Sequence, residues 1–191
     1  MKLILASNSP RRSELLRNAG FDFEVIPSGI EEGMPKPGEA PEAYARRVAR
    51  EKALHVAARV PAGTLVLGAD TVVVAGGMVL GKPGAPGEAT RMLHMLSGQT
   101  HQVTTAICVV RAPDGVEVLK DETTFVTMRE LDDQEIRDYV GSREPFDKAG
   151  GYAIQGLASR FVIRISGCYF NVVGLPVPLL CEVLKGLPGW E

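Results

Sequence analysis

The sequence has few cysteines, only a small net charge and no long apolar run. Its three cysteines, Cys108, Cys168 and Cys181, are widely spaced and form no CxxC pair, which argues against a disulfide framework or a thiolate zinc site and predicts buried free thiols. The formal net charge of -2 excludes a broadly cationic surface, so a nucleic-acid polymer is not an expected partner. No apolar stretch reaches the ~20 residues of a membrane span, and residues 1–6 are too short for a signal-peptide core. We therefore expect a cytoplasmic protein that does not bind membranes.

What remains is the composition of an ordinary globular protein. The chain has 191 residues, of which 45% are hydrophobic and 23% are charged. This length fits one domain over residues 1–191, folded as a single body or as two lobes around a cleft. Internal repeats and low-complexity segments are absent from the sequence.

Hydrophobic periodicity and turn residues predict an α/β fold with a mixed sheet. Strands alternate with helices early in the chain and pair through hairpins later, with a Gly76-Gly77 turn and a Pro113-Asp114-Gly115 turn. The first helix is expected to have Ser9 as its N-cap and Pro10 in its first turn. Predicted strands cover residues 2–6, 21–27, 64–74, 79–80, 103–111, 116–128 and 161–165, with 170–173 returning from a hairpin tip near Gly167. Predicted helices cover residues 11–19, 41–59, 88–96, 132–140 and 178–185.

A candidate anion site lies where the first strand turns into the first helix, at Ser7-Asn8-Ser9-Pro10-Arg11-Arg12. Free backbone N–H groups and the positive end of the helix dipole favour an anion there, and arginine adds bidentate donors for phosphate oxygens. The alternative is a capped helix start with two solvated arginines. The sequence alone leaves both interpretations open.

Asp70 is a second candidate because it stands within the apolar run 64–74. An ionised carboxylate in such a run is costly unless it is paired, bound to a metal or exposed at a cleft. It could hold Mg²⁺ or Mn²⁺, or take a proton from water that attacks phosphorus. A strand-end carboxylate that caps the next turn would have the same pattern. Gly68 in the same run indicates that a close approach of another backbone interrupts the strand.

Several other charged residues could complete such a site. Lys52, Lys82 and Lys148 could neutralise phosphate charge, although most lysines are solvated surface groups. Lys82 is the strongest of these candidates because Gly81 and Pro83 flank it. The pair Glu31-Glu32 could complete a metal site with Asp70 or could be a charged loop tip. His101 could act as a general base or be structural.

Taken together and in order, these motifs closely resemble the Maf family of nucleotide pyrophosphatases. The resemblance runs from about Lys2 to Leu184, and its block at residues 147–156 resembles the branch that acts on dTTP and UTP. The segments that carry it are residues 3–16, Gly68-Ala69-Asp70-Thr71-Val72-Val73, Gly81-Lys82-Pro83, Ser97-Gly98-Gln99-Thr100-His101, residues 147–156 and Val172-Val173-Gly174-Leu175-Pro176.

The resemblance implies a fold, an activity and a set of site residues. The implied fold is a twisted mixed sheet flanked by helices, similar to inosine triphosphate pyrophosphatases, with two lobes around a deep cleft. Asp70 would be the proton acceptor, a divalent Mg or Mn cation would be the cofactor, and a nucleoside triphosphate would be the substrate; a homodimer is compatible with this picture. Arg11, Thr71 and Gln155 would set the base preference.

The chemistry of these residues is consistent with hydrolysis of a triphosphate between its α- and β-phosphates. We expect Ser7, Arg12, Lys52 and Lys82 to bind the phosphates and Glu32 to share a metal with Asp70. The Gln155 amide has both a donor and an acceptor, which suits the O4 and N3–H edge of a pyrimidine. Two rivals remain: a non-catalytic nucleotide-binding regulator of cell division, and a nucleotidyl- or phosphotransferase. The sequence has no Walker-type GxxxxGK[ST] motif and no acceptor motif for the latter.

Overall fold

The chain folds around one mixed β-sheet. The computed structural model describes residues 1–113 and 115–190; Asp114, in the predicted turn before β6, lies outside them. The strands in this part of the chain are β1 (Leu3–Leu5), β2 (Phe23–Val25), β3 (Leu65–Ala75), β4 (Met78–Leu80), β5 (Thr100–Arg111), β6 (Val116–Met128) and β7 (Val162–Ser166). The α-helices there are α1 (Pro10–Asn18), α2 (Pro41–Ala57), α3 (Pro86–Leu96), α4 (Asp133–Gly141), α5 (Tyr169–Val173) and α6 (Val177–Lys185).

The strand order is β2-β1-β3-β5-β6-β7, with β4 also paired to β3. Strand β1 runs parallel to both β2 and β3, whereas β4 is antiparallel to β3 and β7 is antiparallel to β6. The sheet is therefore mixed, as predicted. Helices alternate with strands at the start of the chain, which was also predicted. Among the described residues, no helix is long and apolar enough to cross a membrane.

The chain divides into two compact units, as expected of two lobes; the deep cleft stays a prediction. The first unit comprises Met1–Asp70, Thr105–Glu122 and Gly174–Glu191, and the second comprises Thr71–Thr104 and Thr123–Val173. In the first unit β1 is fully buried, and α2 buries a stripe of alanine and valine at helical spacing. In the second unit the core gathers residues from α3, α4 and β6 around Tyr139 and Phe161, whose rings meet edge to face at 5.3 Å.

Helices α1 and α4 begin at capping signals in the sequence. The Ser9 side chain accepts a hydrogen bond from the Arg12 N–H, and Pro10 opens α1, as predicted. Helix α4 has a reciprocal capping box between Asp132 and Glu135, which satisfies two backbone donors at once.

The prediction for residues 170–173 was wrong, because these residues form α5 and not the return strand of a hairpin. Strand β7 pairs with β6 instead. The cause is tertiary: the buried Asn171 side chain donates to the Val103 carbonyl at 2.8 Å and to Thr124 Oγ1 at 2.9 Å. Thr124 also accepts from the Cys168 N–H at 3.0 Å. Local β-propensity yields to these long-range hydrogen bonds.

Two other predictions needed smaller corrections. The three thiols are free, as expected, but only Cys108 is buried, while Cys168 and Cys181 are half-exposed. Strand β5 begins at Thr100 and α3 at Pro86, a few residues before the predicted starts.

Candidate active site

The turn between β1 and α1 holds Arg12 in a fixed position inside the first unit. Ser7 Oγ accepts hydrogen bonds from the Ser9 N–H at 3.1 Å and from Arg12 Nη1 at 3.2 Å. Arg12 Nε donates to the Gly174 carbonyl at 2.8 Å, and the Arg12 residue is only 8% exposed. The interpretation of two solvated arginines is therefore wrong for Arg12. A buried guanidinium beside a helix N-terminus suits a phosphate oxygen.

Asp70 is paired with a lysine that also reaches a second carboxylate. Lys52 Nζ lies 2.8 Å from Asp70 Oδ1 and 2.6 Å from Glu32 Oε1. Asp70 and Lys52 are 7% and 6% exposed, whereas Glu32 is exposed. The structure thus brings the two predicted metal ligands within two hydrogen-bond lengths of each other, with the ammonium between them.

Gly68 explains how Lys52 comes to face Asp70. A Cβ atom at Gly68 would lie 2.2 Å from the Ala49 carbonyl oxygen and 2.8 Å from the Ala53 nitrogen. Only glycine leaves room for α2 to lie directly on β3 at this point. The predicted close approach is confirmed, although β3 continues through it without interruption. Because side chains alternate along a strand, Asp70 shares the face of Gly68 and meets the next turn of α2.

Burial and charge act in opposite directions on the titration of this cluster. Burial raises the pKa of Asp70 above its ordinary value, and the positive charges of Lys52 and Arg12 oppose that rise. Burial also lowers the pKa of Arg12, yet an arginine stays protonated at neutral pH. A carboxylate with a raised pKa, held beside two cations, can accept a proton from a water molecule that the same cations polarise.

The metal-ligating capacity of the described residues is limited. No group of three or more His, Cys, Asp or Glu side chains in residues 1–113 and 115–190 could hold an ion. Mg²⁺ is commonly held by one or two carboxylates, with waters and substrate phosphates in the other positions. Asp70 and Glu32 fit that pattern, in which the nucleotide itself would complete the coordination.

The second unit contains Thr71, Lys82 and Gln155. Lys82 is exposed, and its loop is tied to the later glycine-rich segment because the Gly150 N–H donates to the Gly81 carbonyl at 3.0 Å. Gly150 has a left-handed φ of 70°, and a Cβ atom there would lie 2.9 Å from Val73 Cγ1. Thr71 shares a strand face with Val73. The segment therefore packs on the strand face that carries Thr71.

Arg11, Thr71 and Gln155 differ in exposure. Arg11 and Thr71 are half-buried and already engaged in contacts, whereas Gln155 is exposed. Arg11 belongs to the first unit, and Thr71 and Gln155 belong to the second. Their joint role at the base stays a prediction.

His101 is a structural residue. It is 2% exposed, and its Nε2 lies 2.7 Å from the hydroxyl of the buried Tyr152. Burial lowers the pKa of His101 to about 4, so the ring is neutral at pH 7.

Sequence reasoning missed two partners of the site. The Gly174 carbonyl that holds Arg12 lies 162 residues along the chain, and no local pattern reveals such a contact. Glu144 binds the turn that follows Gln155. The glycine at position 156 was the available signal, since glycine can mark the close approach of a neighbouring group.

Comparison with known proteins assigns the family. The Maf model, described as Maf-like protein, matches residues 2–187. The chain belongs to the Maf family. Three relatives are named dTTP/UTP pyrophosphatase, and each matches 97% of this chain. The relative from Koribacter versatilis is 51% identical over 94% of its own length. Those from Geobacter sulfurreducens and Syntrophus aciditrophicus are 50% and 48% identical over 95% and 90% of their lengths.

Two solved structures have a more distant likeness to this Maf chain. The nucleoside-triphosphatase, or dITP/XTP pyrophosphatase, of Mycobacterium abscessus matches with a TM-score of 0.41 and 18% identity, over 75% of this chain and 95% of that one. A HAM1 protein of Coxiella burnetii matches with a TM-score of 0.44 and 16% identity, over 67% and 73%.

Proposed function

We propose that this Maf protein hydrolyses dTTP and UTP between the α- and β-phosphates, releasing the nucleoside monophosphate and pyrophosphate. The observation that carries the proposal is the buried contact of Lys52 with Asp70 beside Arg12. Relatives that share about half of its residues over almost the whole chain are named dTTP/UTP pyrophosphatase, which supports the choice of substrates.

The charge of the cluster explains why a cation is needed. Arg12 and Lys52 supply two positive charges, and Asp70 and Glu32 supply two negative ones. A triphosphate brings about four more negative charges, which a nucleophilic water cannot approach until they are neutralised. Lys82 and a divalent cation are the proposed sources of the missing positive charge.

In this proposal Asp70 accepts the proton of the attacking water. Arg12, Lys52, Ser7 and the positive end of the α1 dipole bind the phosphates, and Ser7 also keeps the Arg12 guanidinium in place. Bound Mg²⁺ or Mn²⁺ would supply electrophilic stabilisation of the phosphate oxygens, held by Asp70 and Glu32.

The base is chosen at Arg11, Thr71 and Gln155 in this proposal. The Gln155 amide can donate to O4 and accept from N3–H of uracil or thymine, and an adenine presents the reverse order of groups. In this proposal the amide is held in the orientation that fits uracil or thymine. An amide fixed in that orientation leaves both of its groups unpaired against adenine, so that dATP is the poorer substrate.

The test is a substrate panel with purified protein and Mg²⁺ or Mn²⁺. We expect turnover of dTTP and UTP to monophosphate and pyrophosphate, with kcat/KM at least tenfold above that for dATP or 7-methyl-GTP. If calorimetry detects nucleotide binding but no turnover is measured, the protein is a nucleotide-binding regulator and not an enzyme. A preference for 7-methyl-GTP would overturn the pyrimidine assignment.

A further inference from the structure

The half-buried side chain of Glu144 uses both of its carboxylate oxygens inside the second unit. Tyr139 Oη donates to Oε1 at 2.9 Å, and the Leu157 N–H donates to Oε2 at 2.9 Å. Tyr139 is fully buried in α4, so it is a rigid support. The carboxylate thus connects the core to the backbone two residues after Gln155.

Gly156 lies directly against this carboxylate. A Cβ atom at Gly156 would lie 2.4 Å from Glu144 Oε1 and 2.5 Å from Oε2. The φ of Gly156 is −101°, which residues with side chains also adopt, so a side chain here would be opposed by the Glu144 carboxylate and not by a left-handed φ. The Gly156 N–H closes a turn onto the Ala153 carbonyl at 3.0 Å, and Gln155 lies within that turn.

The backbone just before Glu144 is held in an unfavourable conformation. Arg143 has a left-handed φ of 67°, a conformation that is unfavourable for a residue with a side chain. The Glu144 carbonyl accepts from Lys148 Nζ at 2.7 Å, and its N–H donates to Ser142 Oγ at 3.3 Å. Contacts on both sides of the strained residue fix where the Glu144 side chain begins.

We infer that Glu144 is a positioning residue for base selection: its carboxylate fixes the turn that carries Gln155 and so sets the direction in which the Gln155 amide meets the base. The inference rests on the proposed function, in which Gln155 reads the nucleobase. Glu144 does not contact the substrate in this account. A purely structural role would change stability and leave the ranking of bases unaltered.

The main test compares Glu144→Ala with Glu144→Gln. We expect Glu144→Ala to lower the ratio of kcat/KM for dTTP to that for dATP about tenfold, chiefly through KM for dTTP. Glu144→Gln should keep the wild-type ratio, because its amide oxygen accepts from Leu157 N–H and its NH₂ donates to the Tyr139 oxygen. Glu182→Ala, an exposed glutamate on α6, is the matched control and should behave as wild type.

Gly156→Ala in the wild-type background tests the inference even if Glu144→Ala folds poorly, and an unaltered ratio in this single variant would overturn it. Where Glu144→Ala folds, the two changes form a double-mutant cycle. The added methyl group must displace the carboxylate in the wild-type background, so Gly156→Ala alone should also lower the ratio. In the Glu144→Ala background the same change should have no further effect, since the clash is gone. Equal, independent effects of Gly156→Ala in both backgrounds would overturn the inference.

The outcomes separate the two proposals. A wild-type protein that does not prefer dTTP overturns the proposed function. A wild-type protein that prefers dTTP, with a folded Glu144→Ala variant of unchanged ratio, overturns the role of Glu144 alone.

Discussion

The charged cluster of the first unit and the Gln155 turn of the second are built in opposite ways. In the cluster Arg12, Lys52 and Asp70 are buried, and Lys52 is bonded to Asp70. In the turn Gln155 is exposed. The backbone after it is held by Glu144, which accepts a hydrogen bond from the Leu157 N–H. Changes in the cluster should therefore affect rate and stability together, while changes to the exposed Gln155 side chain should affect selectivity alone.

The largest effect is expected from Asp70→Asn. The change nearly preserves shape but removes the proposed proton acceptor, so kcat for dTTP should fall at least ~100-fold, or about 2.7 kcal/mol. Steady-state pyrophosphate release measures it. Asp22→Asn, at an exposed aspartate, is the matched control. A near wild-type rate would remove Asp70 from the reaction and leave Glu32 as the next candidate.

Acid should destabilise the fold through His101. Burial lowers the pKa of His101 to about 4, against ~6.5 in an unfolded chain. Between these values the unfolded chain binds a proton that the folded chain does not, so this stability is fully present above pH ~6.5 and is lost as the pH falls towards 4. The loss between pH 7.5 and 5 should be about 2 kcal/mol.

Urea unfolding across that pH range measures the effect. His101→Gln should have a shallower dependence of the free energy of unfolding on pH than wild type. His55→Gln, at an exposed histidine, should keep the wild-type slope. An unchanged slope in His101→Gln would mean that the buried ring does not titrate as described.

Arg12→Ala and Lys82→Ala compare two cations that are proposed to bind phosphate, one buried and one exposed. Each should lower kcat/KM for dTTP about tenfold, or 1.4 kcal/mol, because each removes one cation from the triphosphate. Arg12→Ala should also lower Tm, since the Gly174 carbonyl loses its donor. Lys82→Ala should leave Tm unchanged, with Lys120→Ala as the control for an exposed lysine. Unaltered kinetics in both variants would leave Arg12 with a structural role and Lys82 as an ordinary surface cation.

The smallest effect is expected from Gln155→Glu. An ionised carboxylate cannot donate to O4, so the ratio of kcat/KM for dTTP to that for dATP should fall about fivefold, or ~1 kcal/mol. An unpaired buried polar group costs ~1 to 3 kcal/mol. We expect the lower end of that range because Gln155 is exposed. Tm should not change. An unaltered ranking of the bases would remove Gln155 from base selection.

Local chemistry made much of the fold predictable. The Ser9 cap, the start of α1 at Pro10 and the close approach at Gly68 follow from single residues whose chemistry permits few alternatives. The same holds for Asp70, since a carboxylate in a buried strand requires a partner. The candidate residues were thus visible before their contacts were.

The missed features depend on contacts between distant residues. Asn171 turns a predicted strand into α5 through bonds to Val103 and Thr124. Glu144 binds Leu157 across 13 residues. Neither periodicity nor turn chemistry encodes such pairs, because the same local sequence would fold differently with other partners.

The central claim is that the buried Asp70 cluster cleaves the α–β bond of a pyrimidine triphosphate. Its most direct test is chromatographic identification of the products that wild type and Asp70→Asn form from dTTP and Mg²⁺. The account predicts one dTMP and one pyrophosphate for each dTTP consumed by wild type, and almost none from a folded Asp70→Asn variant. Release of dTDP with inorganic phosphate, or equal yields of dTMP from both proteins, would contradict it.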